Sequence, residues 1–246
     1  MKIQNPPFRV ALSCAALMFF TPAVSLLAQS NRIPLDTLVL NGSATLIRNR
    51  IQLTHTYAEA GSAFVATPYT LSPTDSFEVV FLYNALTTFE QTKPADGLAF
   101  IAQNTTMGAY YLGLNGSGLG FFTLTSVPAI AATFDYYPNS ITGSPALTAA
   151  IAVPIGEDLA QVVPEPPVFQ QGHDGGVRAV WVDYDNTTKV FSVYYAASKE
   201  KPATPILSTT LAQDLSSQFG GLVYFGFSGG TGDFDSIQSI DRKSVV

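Results

Sequence analysis

The sequence predicts an all-β protein, an antiparallel sandwich, on three observations. Only 12% of its 246 residues are charged, too few for the polar faces that long amphipathic helices need. Some 47% are hydrophobic, enough to fill a core and to argue against disorder. From residue 34 onward, short apolar or alternating runs follow one another with turn residues between them, as strands of a sandwich require.

Taken in order, the runs are TLVLNGSATLI, NRIQLTHTY, SAFVATPYTL, SFEVVFLYNA, GLAFIAQN, GLGFFTL, AIAATFDYY, VRAVWVDYD, KVFSVYYAA, PILSTTL, LVYFGFSGG and SIQSI. They predict about a dozen strands. VRAVWVDYD and KVFSVYYAA flank Asn186, Thr187 and Thr188, which predicts a hairpin. Strand alternation puts Val180, Val182 and Tyr184 on one face and Ala179, Trp181 and Asp183 on the other. AQDLSSQF, residues 212–219, is the one helical candidate. The Pro- and Gly-rich stretch 154–176 reads as a long loop.

The first 28 residues read as a targeting segment. Lys2 and Arg9 form a basic start, Val10 to Phe20 a short apolar run, and Ala23 to Ala28 a small-residue region before a cut after Ala28. This predicts a signal peptide over 1–28, a single domain over 29–246, and a secreted, extracellular or periplasmic product. No later run has membrane-spanning length. Removing 1–28 takes Lys2 and Arg9 from the 12 basic side chains and none from the 18 acidic ones, for a net charge of −8. No basic patch is visible, which argues against a nucleic-acid partner. Cys14 is the only cysteine, so the remaining chain has no disulfide and relies on its core.

Five segments in order resemble the L-type lectins, the legume lectins and their bacterial and secretory-pathway relatives. They are GSAFVATPYTL (61–71), KPADGLAFIAQN (93–104), AIAATFDYYPN (129–139), VWVDYDNTTKVFSV (180–193) and VYFGFSGGTG (223–232). The resemblance runs from about Gly42 to Ile240. It implies a concanavalin A-like jelly-roll sandwich, a flat back sheet and a curved front sheet, with carbohydrate or a glycoconjugate bound in loops above the front sheet. The family often dimerises through the back sheet. The resemblance also implies a closing strand after Ile240 that is absent here, which predicts an incomplete last strand at a sheet edge.

Carried over residue by residue, Asp96 is the sugar acceptor and follows a cis Ala95–Asp96 bond. An ionised carboxylate suits this role, because it accepts charge-assisted hydrogen bonds from neighbouring hydroxyls. Taken alone, Asp96-Gly97 is also ordinary turn chemistry. Asn139 donates to the sugar and Tyr137 stacks on it. A backbone N–H comes from Gly108, or from Gly116 or Gly118. Gly230 and Thr231, in the loop Gly229 to Asp233, set specificity. Asp135, the Tyr137 carbonyl and Asn139 supply half of a calcium site. The other half departs from the pattern: Thr133 stands where the family has Glu, Ser144 where it has a second Asp, and Ala149 or Ala150 where it has a His. The implied transition-metal site is therefore expected to be absent. Calcium is left with one firm carboxylate, plus Asp174 or His173 on the long loop; a metal-free loop is the other reading.

Catalysis finds little support. The glucanase strand of this fold carries paired carboxylates, whereas here only Asp135 is present. GFSGG (226–230) matches G-x-S-x-G but lacks the strand–turn–helix context and a histidine partner. His55 reads as a surface or structural residue. Sequons stand at Asn41, Asn104, Asn115 and Asn186 and matter only in a eukaryotic secretory pathway. The sequence therefore predicts a non-catalytic lectin, with a lectin-fold adhesion or structural protein as the rival and a glycoside hydrolase as the third reading.

Overall fold

Alternation of side chains along each strand decides the layers. The computed structural model describes residues 33–87, 95–122, 128–137, 148–152, 159–164 and 174–241. The signal-peptide reading of 1–28, and Asn139, Ser144 and His173, lie outside the described residues. The strands are β1 Leu38–Gly42, β2 Thr45–Ile47, β3 Arg50–Thr54, β4 Ala60–Val65, β5 Tyr69–Thr70, β6 Phe77–Leu86, β7 Gly97–Gln103 and β8 Ala129–Asp135. They continue as β9 Thr148–Ala152, β10 Leu159–Pro164, β11 Asp174–Asp185, β12 Val190–Ala196, β13 Leu207–Thr210, β14 Leu222–Gly230 and β15 Ile237–Asp241.

These make two antiparallel sheets, the jelly-roll sandwich expected. The front sheet runs β1-β4-β14-β7-β8-β9-β10, with β5 attached to β14, and the back sheet β13-β12-β11-β6-β15-β3-β2. In β6, Val79, Phe81, Tyr83 and Ala85 alternate into the space between the sheets. In β7, Leu98, Phe100 and Ala102 face them, and Phe81 meets Phe100 and Phe227 at ring separations of 6.0 and 4.9 Å. The hairpin of β11 and β12 forms as predicted, with Asp185 opposite Val190. Val180, Val182 and Tyr184 enter the core, while Ala179 and Trp181 pack in a separate cluster on the other face.

The other face of β7 is apolar too, because something covers it. Ala99 and Ile101 pack with Tyr111, Leu119, Phe121 and Phe122 of the segment 104–122, which lies across the front sheet. GLGFFTL was expected to be a strand; its described residues, up to Phe122, form a turn instead. Leu119 and Gly120 adopt left-handed backbone, at φ 52° and 66°, which breaks an extended run. Polar side chains anchor this cover to the sheet: half-buried Asn41 donates from Nδ2 to Ala109 O (2.9 Å), and buried Ser62 and Ser228 donate from Oγ to Tyr111 O (2.6 Å) and Leu119 O (2.8 Å).

Three further expectations change. The predicted loop 154–176 contains β10, where the LAQVV run pairs with β9. The helix is Leu215–Phe219, shorter than predicted, because Asp214 caps it by accepting from Ser217 N–H at 2.8 Å. The last strand, β15, lies inside the back sheet between β6 and β3 rather than at an edge.

Three tyrosine hydroxyls form a chain in the core: Tyr136 donates to Tyr83 (2.8 Å) and Tyr83 to Tyr195 (3.0 Å). Burial, then the two neighbouring phenols, hold the Tyr83 pKa well above its ordinary value. Tyr83→Phe breaks both links at once. The expected result is a loss of about 2 kcal/mol in urea denaturation at unchanged fold, the cost of two buried hydrogen bonds; an unchanged midpoint would show that the chain contributes nothing.

Candidate functional site

The strand order brings the site together. β7 begins where β14 and β8 end, with Gly97 opposite both Gly230 and Asp135. Asp96, one residue earlier, therefore stands between the ends of two neighbouring strands. The Ala95–Asp96 peptide is cis. Asp96 N–H donates to Gly230 O (2.9 Å), and Asp96 O accepts from Tyr136 N–H (2.7 Å). Ala95 O accepts from Ser236 Oγ (2.5 Å) and Gln238 Nε2 (3.3 Å), and Gln238 also reaches Gly230 O (3.0 Å). These two polar side chains, buried at the β15 end of the back sheet, hold the backbone beneath the site. Sequence reasoning missed both.

Above Asp96 opens a pocket of about 260 Å³, at the small end for ligand sites. Ala95 and Asp96 form its base, and Gly116 and Ser117 one wall. Tyr137 and the run Gly232, Asp233 and Phe234 complete it. The Tyr137 and Phe234 rings lie 5.2 Å apart, tilted by 30°. Glycine matters at two of these positions because the backbone approaches the carboxylate. A Cβ on Gly232 would stand 3.1 Å from Asp96 Oδ2, and one on Gly116, at φ 57°, 3.8 Å from it.

Asp96 is 5% exposed, and its Oδ2 is buried with no hydrogen-bond partner among the described residues. Burial pushes its pKa up to about 6; a backbone hydrogen bond from Gly232 opposes the rise and the charge of Asp233 adds to it. A buried acceptor left open at the floor of a pocket is costly unless a ligand fills it.

The other residues named from the sequence divide. Tyr137 and Gly116 line the pocket, but Gly116 N–H is committed to Thr231 O at 2.9 Å. The N–H groups of Gly108 and Gly118 are likewise committed, to Thr105 O and Asn115 O, both at 3.0 Å. A Cβ on Gly118 would meet Leu114 Cβ at 2.7 Å, so this glycine serves the packing of the cover. Gly230 and Thr231 stand behind the pocket. Gly230 O holds Asp96, and the Thr231 hydroxyl donates to Thr56 O (2.5 Å) and accepts from Glu59 N–H (2.9 Å). Glu59 also accepts from His55 N–H (2.6 Å) and Thr56 N–H (3.1 Å), and His55 Nδ1 lies 3.3 Å from its other oxygen. His55 thus braces a loop. Ser228 of the GFSGG run is fully buried in β14. Ser117, Asp233 and Phe234 join the pocket without having been singled out. The nearness of Ser117 to Gly116, and the Gly-Asp-Phe end of the last loop, were the available signals.

Calcium is a separate question of donors. Asp135 is 2% exposed and accepts from Tyr137 N–H at 3.0 Å. Thr133 is buried, and its hydroxyl donates to Ala150 O at 3.4 Å. Asp174 belongs to β11, in the back sheet, opposite Leu86. Among the described residues no three His, Cys, Asp or Glu side chains come together. One carboxylate and one carbonyl fall well short of the six to eight oxygens calcium takes. The described residues alone do not make a calcium site.

A two-sheet jelly roll with a loop-walled pocket over the end of its front sheet is the architecture of the L-type lectins. Residues 30–244 match the legume lectin domain, and the chain belongs to that family. A basic agglutinin of Psophocarpus tetragonolobus is 31% identical over 192 residues, covering 72% of this chain and 71% of its own. The L-type lectin-domain containing receptor kinase VIII.2 of Arabidopsis thaliana is 29% identical over 231 residues, covering 85% of this chain. The chain spans only 30% of that kinase's length. Among solved structures, the Bauhinia forficata lectin in complex with GalNAc has a TM-score of 0.71 at 24% identity, covering 85% of this chain and 91% of its own, and so shares the fold.

Proposed function

We propose that this is a secreted, non-catalytic lectin that holds one sugar ring in the pocket over Asp96. The observation that carries the reading is the buried, unpartnered Asp96 Oδ2 at the pocket floor. Sugar hydroxyls supply the donors this oxygen lacks, in charge-assisted hydrogen bonds. The Tyr137 and Phe234 rings offer an apolar face for the ring carbons, and the Ser117 hydroxyl stands at the wall as a further donor or acceptor. Asn139 takes the role the family resemblance gives it. The family, the agglutinin and the GalNAc-bound lectin all support a saccharide as ligand. Each hydroxyl exchanges water for protein at small net gain, so a single site binds weakly and avidity requires several copies.

A glycan array with the purified protein, in calcium and in chelator, tests this. Binding is expected in the intact protein and is expected to fall at least about tenfold in Gly232→Ala, whose Cβ shields Oδ2 and leaves the strands untouched. A folded protein that recognises no glycan would sink the reading. That outcome would favour the second one, a lectin fold kept for adhesion or protein binding, which the missing carboxylates at Thr133 and Ser144 support.

A further inference from the structure

Resting on that reading, we infer that the preferred ligand of the pocket is a saccharide unit bearing a free, protonated amine. Two carboxylates line the pocket, Asp96 at the floor and Asp233 at the exposed mouth, and no cationic side chain stands among the described lining residues. A neutral sugar donates to Asp96 but brings no counter-charge to either carboxylate, and the described lining residues supply none. Charges of one sign in a confined, partly desolvated site repel, and a ligand cation between them relieves this.

Three features make the pocket suit an ammonium rather than a bare ion. Asp96 Oδ2 is an acceptor without a partner, and an ammonium carries three donors. Gly116 and Gly232 leave the approach to that oxygen open, so a substituent on the ring reaches it. Tyr137 and Phe234 line the pocket, and aromatic rings provide apolar contact for a sugar ring and attract a cation. An N-acetyl group removes the charge and adds bulk at the same position, so the amine and its acetylated counterpart are distinguished by charge as well as size. Hexosamines and the deacetylated units of amino-polysaccharides are the ligand class defined by this chemistry.

Titration calorimetry at neutral pH, in chelator, compares glucosamine and galactosamine with glucose, galactose and the two N-acetyl sugars. The amine is expected to bind about tenfold tighter than its parent hexose, the gain of one charge-assisted contact. Asp233→Asn is expected to lower that ratio, and added salt to reduce it. Equal affinity for amine and parent, or a preference left unchanged by Asp233→Asn, overturns the inference while leaving the sugar site standing. Binding of calcium to the sugar-free protein, in competition with the amine and lost in Asp233→Asn, assigns the two charges to a metal and also overturns it. Failure of every sugar to bind overturns both this inference and the lectin reading.

Discussion

Asp96→Asn is expected to abolish most sugar binding and, at neutral pH, to make the protein more stable. The two effects have one cause. The carboxylate that accepts from a sugar is buried with an oxygen unpaired in the free protein. Hydrogen bonds to a charged group contribute about 1.5–3 kcal/mol, so its loss weakens binding roughly 10- to 100-fold. The stability effect follows from the raised pKa, about 6 in the folded protein against about 3.9 in an unfolded chain. Between those values the native state holds more protons than the unfolded one. The contribution of this one group to stability is therefore greatest below pH 4, falls as pH rises towards 6, and is level above that. The difference is of order 3 kcal/mol, and Asn, which carries no charge, escapes it. Melting curves of wild type and Asp96→Asn across this range should show the variant gaining on wild type as pH rises from about 4 to 6. Parallel curves would mean that Asp96 is not desolvated in solution.

Binding should follow the same group in the opposite sense. The acceptor is the ionised form, so affinity is expected to be level above pH 6 and to weaken as pH falls through it. A profile that stays flat to about pH 4.5 would assign recognition to groups other than Asp96.

Much of this was legible in the chain because it is local. Val180, Val182 and Tyr184 alternate with Ala179, Trp181 and Asp183, and the structure buries the first set in the core and packs Ala179 and Trp181 on the opposite face. Asp96 stands out because an Asp-Gly pair opens a run that is apolar from Leu98 to Ala102. GLAFIAQ is buried throughout because the sandwich core lies on one side of it and the cover 104–122 on the other. The cover itself was not legible: its apolar residues read as a strand, and only the left-handed backbone at Leu119 and Gly120 shows otherwise. The polar groups behind the site were illegible for a different reason. Ser236 lies 141 residues from the Ala95 carbonyl it donates to, and Thr231 lies 175 from that of Thr56. No local pattern encodes such pairings. They exist only once the antiparallel order has placed the ends of β14, β7 and β15 side by side.

That same placement makes Gly97 a position where substitution should damage the fold beneath the site. Its backbone lies against β8 so closely that an added Cβ would stand 2.2 Å from Phe134 O and 2.9 Å from Asp135 Cα. Both are backbone atoms held in the ladder between β7 and β8, so no side chain can turn aside. Gly97→Ala must push the two strands apart at the end where Asp96 and Asp135 sit. Overpacking in a core costs about 1–3 kcal/mol when side chains can yield; here the strands must part, and at least about 3 kcal/mol is expected. Gly221→Ala is the matched control. Gly221 has φ 82°, yet an added Cβ meets only Leu71 O, at 3.9 Å. Its cost should be the conformational one alone, about 1 kcal/mol. Chemical denaturation of both variants separates contact from conformation. A Gly97→Ala protein as stable as Gly221→Ala would show that β7 and β8 do not pack at this distance. The arrangement that sets Asp96 between the strand ends would then be wrong in the same place.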